Sequence, residues 1–163
     1  MQSLFLEKNM QPIEYSISEI VPHSGRMLLL DRAIAGDGTH FECEVTITAD
    51  NLFFTGTGVG AWVGVEYMAQ TVAAWAGWQA KLAGQVPKIG FLLGSRRYSC
   101  NVSEFTLGQV LSIRISRAFQ ADNGLGQFDC QILIEQQEVA LAALTVFEPL
   151  DASAFLAEHA GGG

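Results

Sequence analysis

AWVGVEYMAQTVAAWAGWQAKL, residues 61–82, decides how this chain is read. Its alanines, tryptophans, valines and methionine recur without the period-two alternation of a strand, and Lys81 with Gly84 supplies an end. The stretch predicts one long helix, apolar nearly all round and therefore buried. Glu66 and Gln70 break its apolar run and its residues are small, so it reads as a core helix and not as a membrane span.

On either side of the helix the pattern is that of strands. Upstream, His40 to Thr48 alternates, with Phe41, Cys43, Val45 and Ile47 on one face and Glu42, Glu44 and Thr46 on the other. A strand-like run from Met27 to Ile34 and the turn Gly36-Asp37-Gly38 precede it, which predicts a hairpin. Ser18 to Val21 reads as a short helical turn before Pro22. Residues 51–60, NLFFTGTGVG, read as a glycine-rich connection that cannot hold a regular element for long. Downstream lie four strand-like runs, Ile89–Val102, Val110–Ala121, Gln127–Gln136 and Val139–Phe147, with separators at Leu107-Gly108, Asp122-Asn123-Gly124 and Gln136-Gln137. Residues 151–158 read as a short helix, and the closing AGGG should fray. The whole is an α+β domain spanning 1–163, with its core over about 12–150 and a tail at 151–163: an antiparallel sheet wrapped around one long central helix. One sheet covers only one side of a helix that is apolar all round, so a second copy is expected to cover the other in a homodimer.

Composition narrows the function. Hydrophobic residues make up 49% of the chain and charged residues 16%, so much surface must be buried, in part between subunits. A net charge of −8 argues against nucleic acid, which needs a basic face. The start, MQSLFLEKNM, lacks the basic and long apolar regions of a secretory signal, which places the chain in the cytoplasm and away from membranes. Cys43, Cys100 and Cys130 have no close pair and read as reduced, buried thiols. No HxH, HExxH or CxxC occurs, so no metal is expected. GxGxxG, the P-loop and GxSxG are likewise missing.

Glu66 is the most informative residue. Apolar neighbours would bury its carboxylate, and burial without partners costs several kcal/mol unless the group is paired, protonated or working. Desolvation would raise its pKa towards the range of a general acid, and Gln70, one turn later, is within reach to orient it. Its alternatives are a solvated position at a dimer edge or a pair with Arg32. Gly58, Gly60 and Ala61 would leave backbone N–H groups unshielded at the helix start, where a thioester enolate could be held; simple turn geometry is the alternative. His23, in VPHSGRMLLLDR, follows a proline in a rigid loop and is the candidate base. His40 starts a strand on its polar face and reads as solvated, and His159 lies in the tail.

These segments resemble a known family. IVPHSGRMLLLDRA resembles the PH-x-x-x-x-LL-x-D-R signature of the 3-hydroxyacyl-(acyl-carrier-protein) dehydratases. NLFFTG followed by VEYMAQ resembles their FF-x-G loop and the E-x-M-A-Q of their central helix, and GFLLGSRRYSCNVSEFTLGQVL their tunnel-lining strand. The resemblance runs from about Val21 to Phe147 and is nearest to the dehydratase-like subgroup of aryl-polyene pathways. It implies a hotdog fold, acyl tunnels along the interface of a homodimer, and a trimer of dimers. Substrate would arrive on the phosphopantetheine of an acyl carrier protein, and no other cofactor is implied; a ketosynthase or a second dehydratase is a further partner it suggests. Glu66 carries over as the residue that helps the hydroxyl leave, Gln70 as its support, and the backbone at Gly60 and Ala61 as the group that polarises the thioester. The family's catalytic histidine follows the glycine of the FF-x-G loop, and that position here is Thr57, which cannot act as a base near neutrality. Either His23 takes over proton abstraction or the chain no longer dehydrates. His23 itself matches a family histidine held to be structural.

Three functions fit these residues: the dehydratase, which the PH-x-x-x-x-LL-x-D-R segment favours; a hotdog thioesterase in which Glu66 activates water; and a non-catalytic acyl binder or partner-dependent subunit. Arg96-Arg97 is a candidate docking point for an acidic carrier protein, with one of the two facing the tunnel mouth because strand neighbours point opposite ways. Trp62, Trp75 and Trp78 read as core and interface packing, as do Tyr67 and Tyr98.

Overall fold

The computed structural model describes residues 10–86 and 90–149. Its long helix is α2, Gly64–Leu82, entered through a 3-10 turn at Ala61–Val63. Against it lies a seven-stranded antiparallel sheet in the order β1-β2-β3-β7-β8-β9-β5. The strands are β1 (Gln11–Pro12), β2 (Arg32–Gly36), β3 (His40–Thr46), β5 (Phe91–Cys100), β7 (Val110–Gln120), β8 (Leu125–Ile134) and β9 (Gln137–Phe147). A small second ladder joins β4 (Gly58–Gly60) to β6 (Glu104–Thr106). A four-residue helix, α1 (Ile17–Ile20), packs on α2, and a 3-10 turn spans Gly25–Met27. No helix among the described residues is long and apolar enough to cross a membrane.

The alternation in β3 builds the core as its period demands: Phe41, Cys43, Val45 and Ile47 are fully buried and the intervening residues are not. Tyr67, Met68, Val72, Trp75 and Trp78 of α2 meet this face, with Trp78 against Phe41 and Trp75 edge-on to Phe128, ring centroids 5.6 Å apart in each pair. The carbonyl of Asp37, in the β2–β3 turn, accepts from Trp75 Nε1 at 3.1 Å and Gln79 Nε2 at 3.0 Å, tying the hairpin to the helix. Gly77 lets α1 reach α2, because a Cβ there would lie 1.8 Å from the carbonyl oxygen of Ile20.

Several expectations are corrected. The glycine-rich connection holds a strand after all, since Gly58 brings β4 so close to β6 that a Cβ would stand 2.2 Å from the Phe105 carbonyl oxygen. In the single chain the sheet covers one side of the helix, as expected of one sheet, and on the other side Glu66 is exposed, Ala69, Ala73 and Ala76 are half-buried, and Trp62, just before the helix, is 63% exposed. His40 is half-buried and not simply solvated, its Nδ1 3.1 Å from the Asp37 carboxylate. The β8–β9 turn sits at Glu135-Gln136, both with positive φ, one residue before the expected place. Cys100 is half-buried, whereas Cys43 and Cys130 are buried free thiols. The expected helix at 151–158 and the terminal AGGG lie outside the described residues.

Candidate active site

A cavity of about 590 Å³ runs beside the open face of α2. Glu66, Ala69, Gln70, Ala73 and Ala76 line its helix side, and Val21-Pro22-His23 closes one wall. Leu92 of β5, Phe128 of β8 and Val146 of β9 form the wall opposite. His23 reaches the cavity because α1 is fixed on α2 through Ile20 and hands the chain to Pro22, whose ring locks φ. Two of the candidate residues, 43 positions apart in the sequence, are thus brought to one cavity: His23 from the loop and Glu66 from the helix.

Their environments differ. The Nδ1 atom of His23 is buried and finds no hydrogen-bond partner among the described residues. Burial holds the imidazole below its ordinary value, with the negative charge of Glu66 pulling the other way. The Glu66 carboxylate is exposed in the single chain, so the burial expected for it is not present here, and Arg32 does not pair with it. Arg32 binds Glu44 instead, at 2.7 Å. The reason is rotational: sequence neighbours of Glu66 are apolar, yet at about 100° per residue its own side chain leaves the helix on the uncovered side.

Gln70 is 3% exposed and its amide is committed to the chain that follows His23. The Leu29 N–H donates to Gln70 Oε1 at 2.9 Å, and Gln70 Nε2 donates to the Met27 carbonyl at 2.8 Å. It holds that loop and does not reach back to orient Glu66. Thr57, Gly60 and Ala61 do not line the cavity. The Thr57 hydroxyl donates to Glu104 at 3.1 Å, and the Ala61 N–H donates to the Ser103 carbonyl at 3.1 Å, extending the β4–β6 ladder. The Ala61 amide is therefore engaged and not free for a thioester. The Ala61 carbonyl accepts from the Tyr98 hydroxyl, which stands where a side chain on Gly64 would be.

The Arg96-Arg97 pair also departs from expectation. Both arginines are exposed, in a stretch of edge strand β5 that is exposed from Leu92 to Arg97, and a register shift between Arg96 and Ser99 with a φ of 55° at Arg97 breaks the strand alternation there. Sequence reasoning missed the alanine stripe and Gly77; the recurrence of Ala69, Ala73 and Ala76 at three- and four-residue spacing was the available signal.

The arrangement brings an imidazole and a carboxyl group to one largely apolar cavity, parts suited to moving a proton on and off an acyl chain. Comparisons agree. The family described as ApeP-like, ApeP dehydratase, matches residues 15–157. The dehydratase heterocomplex ApeI:P from Xenorhabdus doucetiae is 27% identical over 88% of this chain and 97% of that one, with a TM-score of 0.81. The E. coli PaaI protein from the phenylacetic acid degradation operon (16% identity, 71% and 81% coverage, TM-score 0.56) shares the fold. So does a hypothetical thioesterase with coenzyme A from Streptococcus pneumoniae (14%, 68% and 78%, TM-score 0.52). A search of the curated proteins finds no match. The helix, the PH-x-x-x-x-LL-x-D-R loop and every strand of the wrapping sheet but β1 fall within the matched span, and the chain belongs to the ApeP-like dehydratase family with a hotdog fold.

Proposed function

We propose that this dehydratase removes water from 3-hydroxyacyl thioesters carried on the phosphopantetheine of an acyl carrier protein, in the cytoplasm and in a polyene-type pathway. His23 takes the proton from Cα as base. Glu66, as the acid, passes a proton to the C3 hydroxyl; the C3–O bond breaks, water leaves and the C2–C3 double bond forms. The observation that carries this reading is the joint lining of one cavity by Glu66 and by a histidine with a buried, unpartnered ring nitrogen. An unsatisfied buried nitrogen costs on the order of 1–3 kcal/mol, which a substrate or water at that atom would offset.

A second reading, a site completed by another subunit, has its own support. Thr57 stands where the family's loop histidine is expected and is held by Glu104, away from the cavity. The similar ApeI:P protein is a heterocomplex. Edge strand β5 presents Leu93 at 57% exposure, with Trp62 and Met27 also exposed, surface of the kind that another hotdog chain covers. A homodimer, a trimer of dimers, or a pair with a second dehydratase would each do this, and a ketosynthase would supply the pathway's preceding chemistry.

The test is turnover of a 3-hydroxyacyl chain on carrier protein by wild type, His23→Ala and Glu66→Gln, each alone and co-expressed with a second dehydratase subunit. The expected result is a 2-enoyl product, reduced roughly 10²–10⁴-fold in each variant with the fold intact. Activity only in the co-expressed sample establishes the second reading. Release of free thiol would replace both with a thioesterase.

A further inference from the structure

The loop that bears His23 is packed into the core at its ends, by Val21 before it and by Leu28, Leu29 and Leu30 after it. No residue of its 3-10 turn, Gly25–Met27, is buried, and Met27 is 60% exposed. Two further ties join this segment to α2. On the near side, α1 docks on α2 through the close approach of Ile20 to Gly77. On the far side, the buried amide of Gln70 grips the backbone twice, at Met27 and Leu29, across 43 and 41 residues of sequence. Gln70 lies one turn beyond Glu66, so a single turn of α2 carries both the candidate acid and the grip on the loop of the candidate base. Only a group that donates and accepts at once can make both bonds; a carboxylate can only accept, and an alkyl group does neither.

We infer that Gln70 is a positioning residue that sets the placement of His23 relative to Glu66, and not a substrate-binding group. The inference rests on the acid–base reading of His23 and Glu66, and half of its test is independent of activity. Gln70→Leu removes both bonds. The imidazole C2–H signal of His23, followed by NMR, should then titrate nearer the ordinary value of about 6.5 as the loop lifts from its buried place. In the same variant kcat should fall on the order of tenfold to a hundredfold, the scale of a displacement of about 1 Å, with KM within roughly twofold. Gln70→Glu keeps both bonds only while its carboxyl is protonated. Its kcat/KM relative to wild type should therefore rise as pH falls, a trend that a purely structural brace would not produce.

An unchanged His23 titration and unchanged kcat in Gln70→Leu, with only the melting temperature lowered, would overturn the inference. If Gln70→Leu fails to fold, the Gln70→Glu pH trend decides in its place: a flat ratio overturns it. Should His23→Ala prove as active as wild type, the acid–base reading fails; a moved His23 titration in Gln70→Leu would still support the positioning role, and an unmoved one would sink it.

Discussion

Replacing Gly77 by alanine tests the joint on which the His23 loop hangs. In an isolated helix the change stabilises by about 1 kcal/mol, since alanine is the better helix former. Here the new Cβ would lie 1.8 Å from the Ile20 carbonyl oxygen and 2.7 Å from its carbonyl carbon. Both are backbone atoms, so no rotamer change relieves the contact and α1 must move off α2. Ile17 and Ile20, 7% and 1% exposed, are the side chains that α1 buries. Losing most of that burial costs about 1.5–3 kcal/mol for each, about 3–6 kcal/mol for the two. Offsetting the helix-propensity gain of about 1 kcal/mol leaves a net loss of about 2–5 kcal/mol. Urea unfolding should show it as a lower midpoint with little change in slope, and thermal unfolding as a fall of roughly 5–15 °C. Dehydration should fall with it, because α1 leads directly into Pro22 and His23. A Gly77→Ala protein as stable as wild type, or more so, would refute the close approach and the claim that α1 fixes the loop.

Two further outcomes follow from the same geometry. Burial holds the His23 imidazole below its ordinary value, so the base form persists to lower pH than in a free histidine. The acid limb of kcat/KM should therefore fall below about 6.5, and Glu66→Gln, which removes the opposing charge, should shift that limb lower still in whatever activity remains. The sign for stability is the same: the folded state binds the proton less readily than the unfolded chain, so His23's contribution is whole above about 6.5 and declines as pH falls through its lowered value. At the start of α2, Gly64→Ala would set a Cβ 2.2 Å from the Tyr98 hydroxyl oxygen, and Tyr98→Phe would leave the Ala61 carbonyl without that donor, at about 1 kcal/mol. Denaturant midpoints of the double-mutant cycle should show the pair to be less destabilising than the sum, since removing the hydroxyl relieves the clash; strict additivity would refute the contact.

Much of the architecture was legible because it is written in short-range periodicity. The alternation of β3 and the non-alternating apolar run of 61–82 each depend only on a residue's own neighbours, and both elements formed where the pattern put them. Glu66 and His23 stood out by chemical type: a carboxylate in an apolar run and a histidine locked behind a proline. The family resemblance added the expectation of a dehydratase, and the match over residues 15–157 carries it.

What depends on approach between distant segments was not legible. The glycines of 58–60 read as an amide-rich helix start and are instead a strand pressed against β6; that requires knowing that Phe105, some 45 residues away, arrives there. Gln70 read as the partner of Glu66 because both lie on one helix, yet its amide turns to Met27 and Leu29, which only the packed fold brings within 3 Å. Glu66 read as buried because hydropathy averages over chain neighbours, whereas exposure depends on which side of the helix the sheet covers. Sequence alone determined the elements and the chemistry on hand. Tertiary structure decided which groups meet, since a side chain's direction is set by the helix and its company by what the rest of the chain packs against it.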